Sequence, residues 1–147
     1  MKFFERKTIG DNYLTRWHVF PRNPFFNIMI HRFSGDDKSA ELHDHPWPFL
    51  SILLRGNLIE DYRTKSGMIA TRKLPRFIPR YYPAKHRHRL EVWDHHPGAG
   101  NVWTVVFTGP KIRLWGFYSK RGVLKRLMDG DDVVFNLDEH YGEEIEG

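Results

Sequence analysis

Hydrophobic and polar residues alternate with a period of two along most of this chain, and Gly and Pro interrupt the alternation at short intervals. Successive side chains on a β-strand point to opposite faces, so such stretches bury one face and leave the other in water. The pattern predicts strands over 27–33, 42–55, 58–63, 68–74, 77–82, 86–92, 101–108 and 113–118. The separators have turn chemistry: Ser34-Gly35-Asp36-Asp37, Arg55-Gly56-Asn57, Ser66-Gly67, Pro75, Pro83, the 96–100 stretch and Gly109-Pro110. Gly56 and Gly67 stand where hairpin turns need positive φ. Helical spacing shows at one place, where Val123, Leu124, Leu127 and Met128 would share a face before Asp129-Gly130 ends the run. The expected architecture is all-β: one antiparallel barrel or sandwich with a short C-terminal helical segment.

A chain of 147 residues can bury one hydrophobic core but not two, so a single domain is expected. The absence of cysteine excludes a disulfide framework, a thiolate metal site and a cysteine nucleophile. Any metal must then be held by His, Asp or Glu. Residues Met1 to Lys7 contain no long apolar segment, and the longest apolar run, Phe49 to Leu54, is far too short to cross a bilayer. A soluble, cytoplasmic protein with no membrane association is the expectation.

The net charge of +5 hides an asymmetry. From Arg63 to Arg89 the basic side chains, Arg72, Lys85 and Arg87 among them, occur without one carboxylate, whereas the tail from Asp129 onward carries acids and neither Lys nor Arg. A basic middle with interleaved Phe77, Tyr81 and Tyr82 could steer an anionic ligand or touch phosphates. The blander reading, solvated strand faces partly neutralised by the tail, is preferred, because no nucleic-acid motif accompanies the charge. The tail itself is a candidate for disorder.

The chemistry concentrates at Leu42-His43-Asp44-His45-Pro46-Trp47. On a strand, His43 and His45 share a face roughly 7 Å apart, which suits two imidazoles converging on one ion. Imidazole accepts iron, zinc, nickel, copper or manganese, so the pair proposes a metal without naming it. A second cluster runs from Pro83 to Val92, where Arg87, Arg89 and Glu91 alternate with His86, His88, Leu90 and Val92. His88, nearest the apolar end, should point inward, where either a metal or a backbone carbonyl must satisfy its ring.

Together these two clusters resemble the paired motifs of the cupin superfamily, of RmlC-like type. His43, His45 and Gly56 match the earlier motif, and Pro83 and His88 match the later one, over roughly residues 27 to 118. His31-Arg32-Phe33 and the string around His43 further resemble small single-domain cupin-like proteins of bacteria and phages. The resemblance implies a β-barrel or jelly roll over 27–118, with 1–26 as an N-terminal segment packing on it and 119–147 as a short helix and acidic tail. The family's glutamate ligand should fall at Phe49 or Leu50, and is absent there. What the likeness implies is a three-histidine site for one divalent transition metal (Fe, Zn, Ni or Mn) on His43, His45 and His88, with His86 as runner-up. A homodimer is also implied.

Three neutral ligands would leave the ion its full charge and favour an anionic partner. Glu60 is the nearest candidate for a replacement carboxylate or general base, although a solvent-facing Glu is the commoner outcome on a strand. Trp47 has the parity of His43 and His45 and should lie beside any metal; Phe49 and His31 are further candidates for the pocket wall. Phe49, Trp93, Trp103 and Trp115 read more readily as core, and His95-His96 as an exposed turn. The leading expectation is a mononuclear metal enzyme, an Fe(II) oxygenase or a metal-assisted isomerase or lyase, acting on a small anionic molecule. The alternative is a cupin that binds a small molecule or sugar nucleotide without catalysis or without metal.

Overall fold

The computed structural model describes residues 2–9, 14–33, 41–92, 102–119, 121–130 and 132–137. Among them the chain forms β1 (Glu5–Ile9), β2 (Leu14–His18), β3 (Asn27–Phe33), β4 (Leu42–His43), β5 (Phe49–Arg55), β6 (Leu58–Arg63), β7 (Ile69–Lys73), β8 (Arg80–Tyr82), β9 (His88–Val92), β10 (Val102–Thr108), β11 (Trp115–Tyr118), β12 (Leu124–Asp129) and β13 (Asp132–Asn136). These build a six-stranded sheet in the order β1-β2-β3-β10-β5-β8 and a seven-stranded sheet in the order β13-β12-β11-β4-β9-β6-β7. Every strand pairing is antiparallel.

The predicted alternation is clearest at the centre of the first sheet. Met29, His31 and Phe33 of β3 and Val102, Thr104, Val106 and Thr108 of β10 all turn to the buried side, with Thr104 directly across from His31. Two apolar clusters result. One joins Leu14, Phe33, Leu53, Leu58, Val92 and Val102; the other joins Met29, Phe49, Tyr82 and Val106, with Trp47 packed on it. Each large side chain so buried stabilises the fold by about 2 kcal/mol relative to exposure. Gly56 and Gly67 both take φ of 88°, as their hairpins require.

The structure departs from the predicted elements in four places. The expected strand over 42–55 is split, because Pro46 and Pro48 carry no N–H for a ladder. Their carbonyls are used instead: Pro46 O accepts from Ile112 N at 2.8 Å and Pro48 O from Gly109 N at 2.8 Å. The strand expected from residue 77 begins at Arg80, since Phe77 sits at φ 64° between Pro75 and Pro79. Residues 124–129 are a strand, not a helix. Their six-residue run is too short to nucleate a helix alone, while β11 and β13 offer edges on both sides and Gly122 and Gly130, at φ 90° and 60°, turn the chain into and out of the strand. Finally, the segment before residue 27 contributes β1 and β2, which extend the first sheet through β3.

One buried carboxylate joins the divided segment to the second sheet. Asp44, 1 % exposed, accepts from Gly116 N at 2.7 Å and from the Tyr118 hydroxyl at 2.9 Å, and pairs with Arg113 Nη2 at 3.0 Å. Desolvation raises its pKa, and these three partners oppose the rise. Gly116 allows the approach, because a Cβ there would lie 2.7 Å from the Tyr118 oxygen and 3.0 Å from Asp44 Oδ1. Replacing Asp44→Ala orphans three donors and should cost about 3 kcal/mol, against about 1 kcal/mol for Tyr118→Phe. Urea denaturation measures both, and an Asp44→Ala midpoint equal to wild type would refute the anchor.

Candidate metal centre

His43 and His88 are paired directly across β4 and β9. His45 lies past the end of β4 yet keeps the alternation, because Asp44 N donates to Gly116 O and His45 N to Ala84 O, each at 3.0 Å. Asp44 therefore turns to one side and both histidines to the other. The three imidazole centroids form a nearly equilateral triangle, 5.1 Å (His43 to His45), 4.9 Å (His43 to His88) and 5.0 Å (His45 to His88), with ring planes 68° to 79° apart. Each ring brings one nitrogen to within 4.8 Å of the other two. Desolvation lowers the pKa of all three, and mutual repulsion lowers His43 and His45 further. At neutral pH they are uncharged, with lone pairs available. Nδ1 of His45 is buried and has no hydrogen-bond partner among the described residues.

Glu60 sets the orientation of this group. It has no solvent exposure, contrary to the expectation of an outward strand residue. Its Oε2 accepts from His88 Nδ1 at 2.5 Å and lies 3.1 Å from His86 Nε2, while Oε1 accepts from Arg72 Nε and Nη2 at 2.5 Å each. The register explains the contacts: Arg72 of β7 stands directly opposite Glu60, and His88 of β9 is its diagonal neighbour. Burial alone would raise the Glu60 pKa, but the hydrogen bonds from His86 and His88 outweigh it and hold the group ionised. A carboxylate on Nδ1 fixes the tautomer of His88 and turns Nε2 to the other two rings.

Glu60, His86 and His88 form a second group of ligand atoms within 4.8 Å. Two donors on one ion, with bonds of about 2.1 Å, stand about 3 Å apart or more, so the 2.5 Å contact between Glu60 and His88 has hydrogen-bond geometry. His86, the runner-up ligand, faces Glu60 and stacks near Tyr62 and Tyr82.

The histidine triangle opens on a cavity of about 60 Å³, room for a few water-sized groups at roughly 10–15 Å³ each. Trp47 stacks on His45 at 5.5 Å, and Phe49 meets the same ring edge-on at 4.5 Å, in the position where the motif would carry a glutamate. His31 also lines the cavity, but its Nε2 accepts from Arg16 Nε at 2.9 Å. Sequence reasoning missed Arg16, Tyr82, Thr104 and Trp115 in these walls. Trp115 stands 6.2 Å from His43 because β11 pairs with β4, a neighbour that the sequence alone does not show. Trp103 instead stacks on Trp17 at 5.5 Å, beneath Arg32. Trp93, His95 and His96 lie outside the described residues.

A second, outer cavity of about 380 Å³ shares Arg16, Trp47 and Trp115 with the first. Lys7, His18, Arg22 and Lys111 stand around it. The His18 pKa falls to about 4 through burial first and then the neighbouring Arg16 and Arg22, with Glu5 opposing. In the basic stretch from Arg63 to Arg89, Arg72 is engaged on Glu60, Arg89 on Asp61 at 3.0 Å, and Arg87 over the Tyr118 ring at 3.6 Å, while Lys65, Lys73, Arg76 and Lys85 are exposed.

No protein-family profile matches the sequence, and no curated protein matches it either. Solved structures do match. FeII HppE aligns over 71 % of this chain and 56 % of its own, with TM-score 0.52 and 16 % identity. Bacillus subtilis oxalate decarboxylase, with Mn(II) centres, aligns over 93 % of this chain and 32 % of its own, with TM-score 0.57 and 10 % identity. An RmlC-like cupin from Shewanella frigidimarina NCIMB 400 aligns over 73 % and 84 %, with TM-score 0.51 and 17 % identity. The chain thus spans little more than half of the first structure and about a third of the second. Its two antiparallel sheets are matched over most of the chain by these structures, and the chain has the cupin fold. No helix among the described residues is long and apolar enough to cross a membrane.

Two predictions follow from the charges. Glu60→Gln leaves Arg72 without its counter-charge and should cost about 2–3 kcal/mol by urea denaturation; no loss would show that the buried carboxylate is not stabilising. His18 is neutral when folded down to about pH 4, whereas the unfolded side chain binds a proton below its ordinary 6.5. Its contribution to stability is present above pH 6.5 and lost as pH falls toward 4. His18→Gln should make stability against pH shallower over that window by about 1–2 kcal/mol; an unaltered slope would contradict the assignment.

Proposed function

We propose that this cupin holds one divalent transition metal through His43, His45 and His88, and that the site serves a mononuclear metal-dependent reaction on a small anionic molecule. The observation that carries the reading is the set of three uncharged imidazoles whose nitrogens lie within 4.8 Å of one another at the cavity wall. The donor set fits such an ion. Imidazole nitrogen suits Fe, Mn, Zn and Ni alike, and the orphaned Nδ1 of His45 belongs to a ring with little else to bind. FeII HppE and the Mn(II) centres of oxalate decarboxylase make iron and manganese the first ions to test.

A divalent ion in this setting supplies Lewis-acid polarisation to a ligand in its open positions. The protein does the rest. Glu60, through His88, is a positioning residue, and with both oxygens committed it is not a free general base. Trp47, Phe49 and Trp115 exclude water from the reacting end of the ligand. Burial raises the Tyr82 pKa, with Glu60 adding to the effect, so its hydroxyl stays protonated.

Elemental analysis of protein purified without a histidine tag tests the reading. One equivalent of a single transition metal is expected, as found or after reconstitution with Fe(II), Mn(II), Zn(II) or Ni(II). A His43→Ala/His45→Ala variant with an unchanged circular dichroism spectrum should lose it. Failure of all four ions to bind overturns the proposal, and stoichiometric metal in the double variant moves the site elsewhere.

A further inference from the structure

The inner cavity, at about 60 Å³, admits little more than the reacting end of an organic molecule, whereas the outer one, at about 380 Å³, has room for a whole small ligand. They meet at Arg16, Trp47 and Trp115. Trp47, stacked on His45, and Trp115, beside His43, therefore line both spaces. Arg16 belongs to both spaces and is tied to the inner wall through His31.

Among the described residues, the outer wall carries Lys7, Arg16, Arg22 and Lys111 and no carboxylate. The described acids that pair with Arg22 and Lys111 do so from beside the cavity. Glu5 pairs with Arg22 at 2.8 Å, the side chains being 28 % and 45 % exposed, and Asp129 pairs with Lys111, at 51 % and 40 %. Exposed pairs of this kind contribute under about 1 kcal/mol, so an incoming anion can compete for both cations. Arg22 is also placed rigidly: the next residue, Asn23, accepts from Phe25 N and Phe26 N at 2.9 Å each and donates to Pro21 O and Phe26 O. On the same wall burial lowers the pKa of His18, and the neighbouring Arg16 and Arg22 lower it further.

We propose that this outer cavity binds the phosphoryl group of a phosphate monoester, between Arg22, Lys111, Arg16 and Lys7, with the body of the molecule directed past Trp47 and Trp115 to the three histidines. A monocarboxylate would only exchange one single negative charge for another at Arg22 or Lys111. A phosphoryl group brings nearly two charges and three acceptor oxygens, so it can engage several cations at once, and the planar guanidinium fork of Arg22 matches two of those oxygens. The direction of the body rests on the metal-centre reading above; the phosphoryl site does not.

The test is calorimetric titration at fixed ionic strength with inorganic phosphate, and in parallel with acetate. The proteins compared are wild type, His43→Ala/His45→Ala, and Arg22→Gln/Lys111→Gln. Phosphate should bind saturably to wild type and equally well to the double-histidine variant, with acetate at least about tenfold weaker. Arg22→Gln/Lys111→Gln should weaken phosphate about tenfold or more, with its unliganded melting temperature confirming that it folds. The single Arg22→Gln serves if the double variant does not fold. The proposal is overturned if phosphate binding vanishes with the histidines, is indifferent to Arg22 and Lys111, or is matched by acetate. The first of these outcomes would place the anion on the metal and leave the metal-centre reading standing. If elemental analysis finds no metal while phosphate still binds at Arg22 and Lys111, the reading of the centre fails and the phosphoryl site survives.

Discussion

A carboxylate with no access to water must be matched by donors or be driven neutral, and in this barrel that condition falls on Glu60. Its two oxygens have different tasks. One is held by Arg72 across β6 and β7, and the other by His88 across β6 and β9. The first gives the carboxylate a counter-charge; the second, with His86, holds it ionised and fixes the orientation of the His88 ring. His43 takes its place from direct cross-strand pairing with His88, so two of the three rings are referred to one buried ion pair.

Asp44 solves the same problem on the opposite side of the histidine segment. Pro46 and Pro48 break the strand that would otherwise carry His43 and His45 together, and a broken strand alone would leave His45 free to turn. Asp44 prevents this by tying the bend to Gly116, Tyr118 and Arg113. The residue between the two histidines is thus as important to their convergence as the histidines themselves. Its three partners come from a strand and loop some seventy residues away, a long-range contact whose ordering cost the barrel meets through its two apolar clusters.

How much of this could be read in the sequence follows from which residues obey the pattern. β3 and β10 alternate without exception, and both were legible. So were His43 and His45, through their spacing of two, and His88, through its parity with Leu90 and Val92. β2 was not: Arg16 and His18 face a cavity, so a polar residue stands where the period calls for an apolar one. Glu60 had a signal that its residue type obscured. It shares parity with Leu58, which is buried, while Ile59, Asp61 and Arg63 lie on the other face. Glutamate is so rarely buried that pattern gave way to composition. Over 123–128 the spacing of four apolar residues suited a helix equally well, and only the neighbouring strands decide between them.

Phe49 connects the centre with the outer cavity in a way that neither shows alone. An anionic ligand at that position would offset part of the charge of a divalent ion, whereas an aromatic ring offsets none. Among the described residues, the carboxylate that reaches these rings is Glu60, which bonds His88 and is already shared with Arg72. The inner cavity with a divalent ion is consequently a positive site, and it adjoins an outer wall that is positive as well. Low-dielectric walls of Trp47, Phe49 and Trp115 do little to screen these fields. A neutral molecule gains nothing from that arrangement, and a cation is repelled at both ends. On the proposed reading, an anion would be drawn first by the outer charge and then by the inner one.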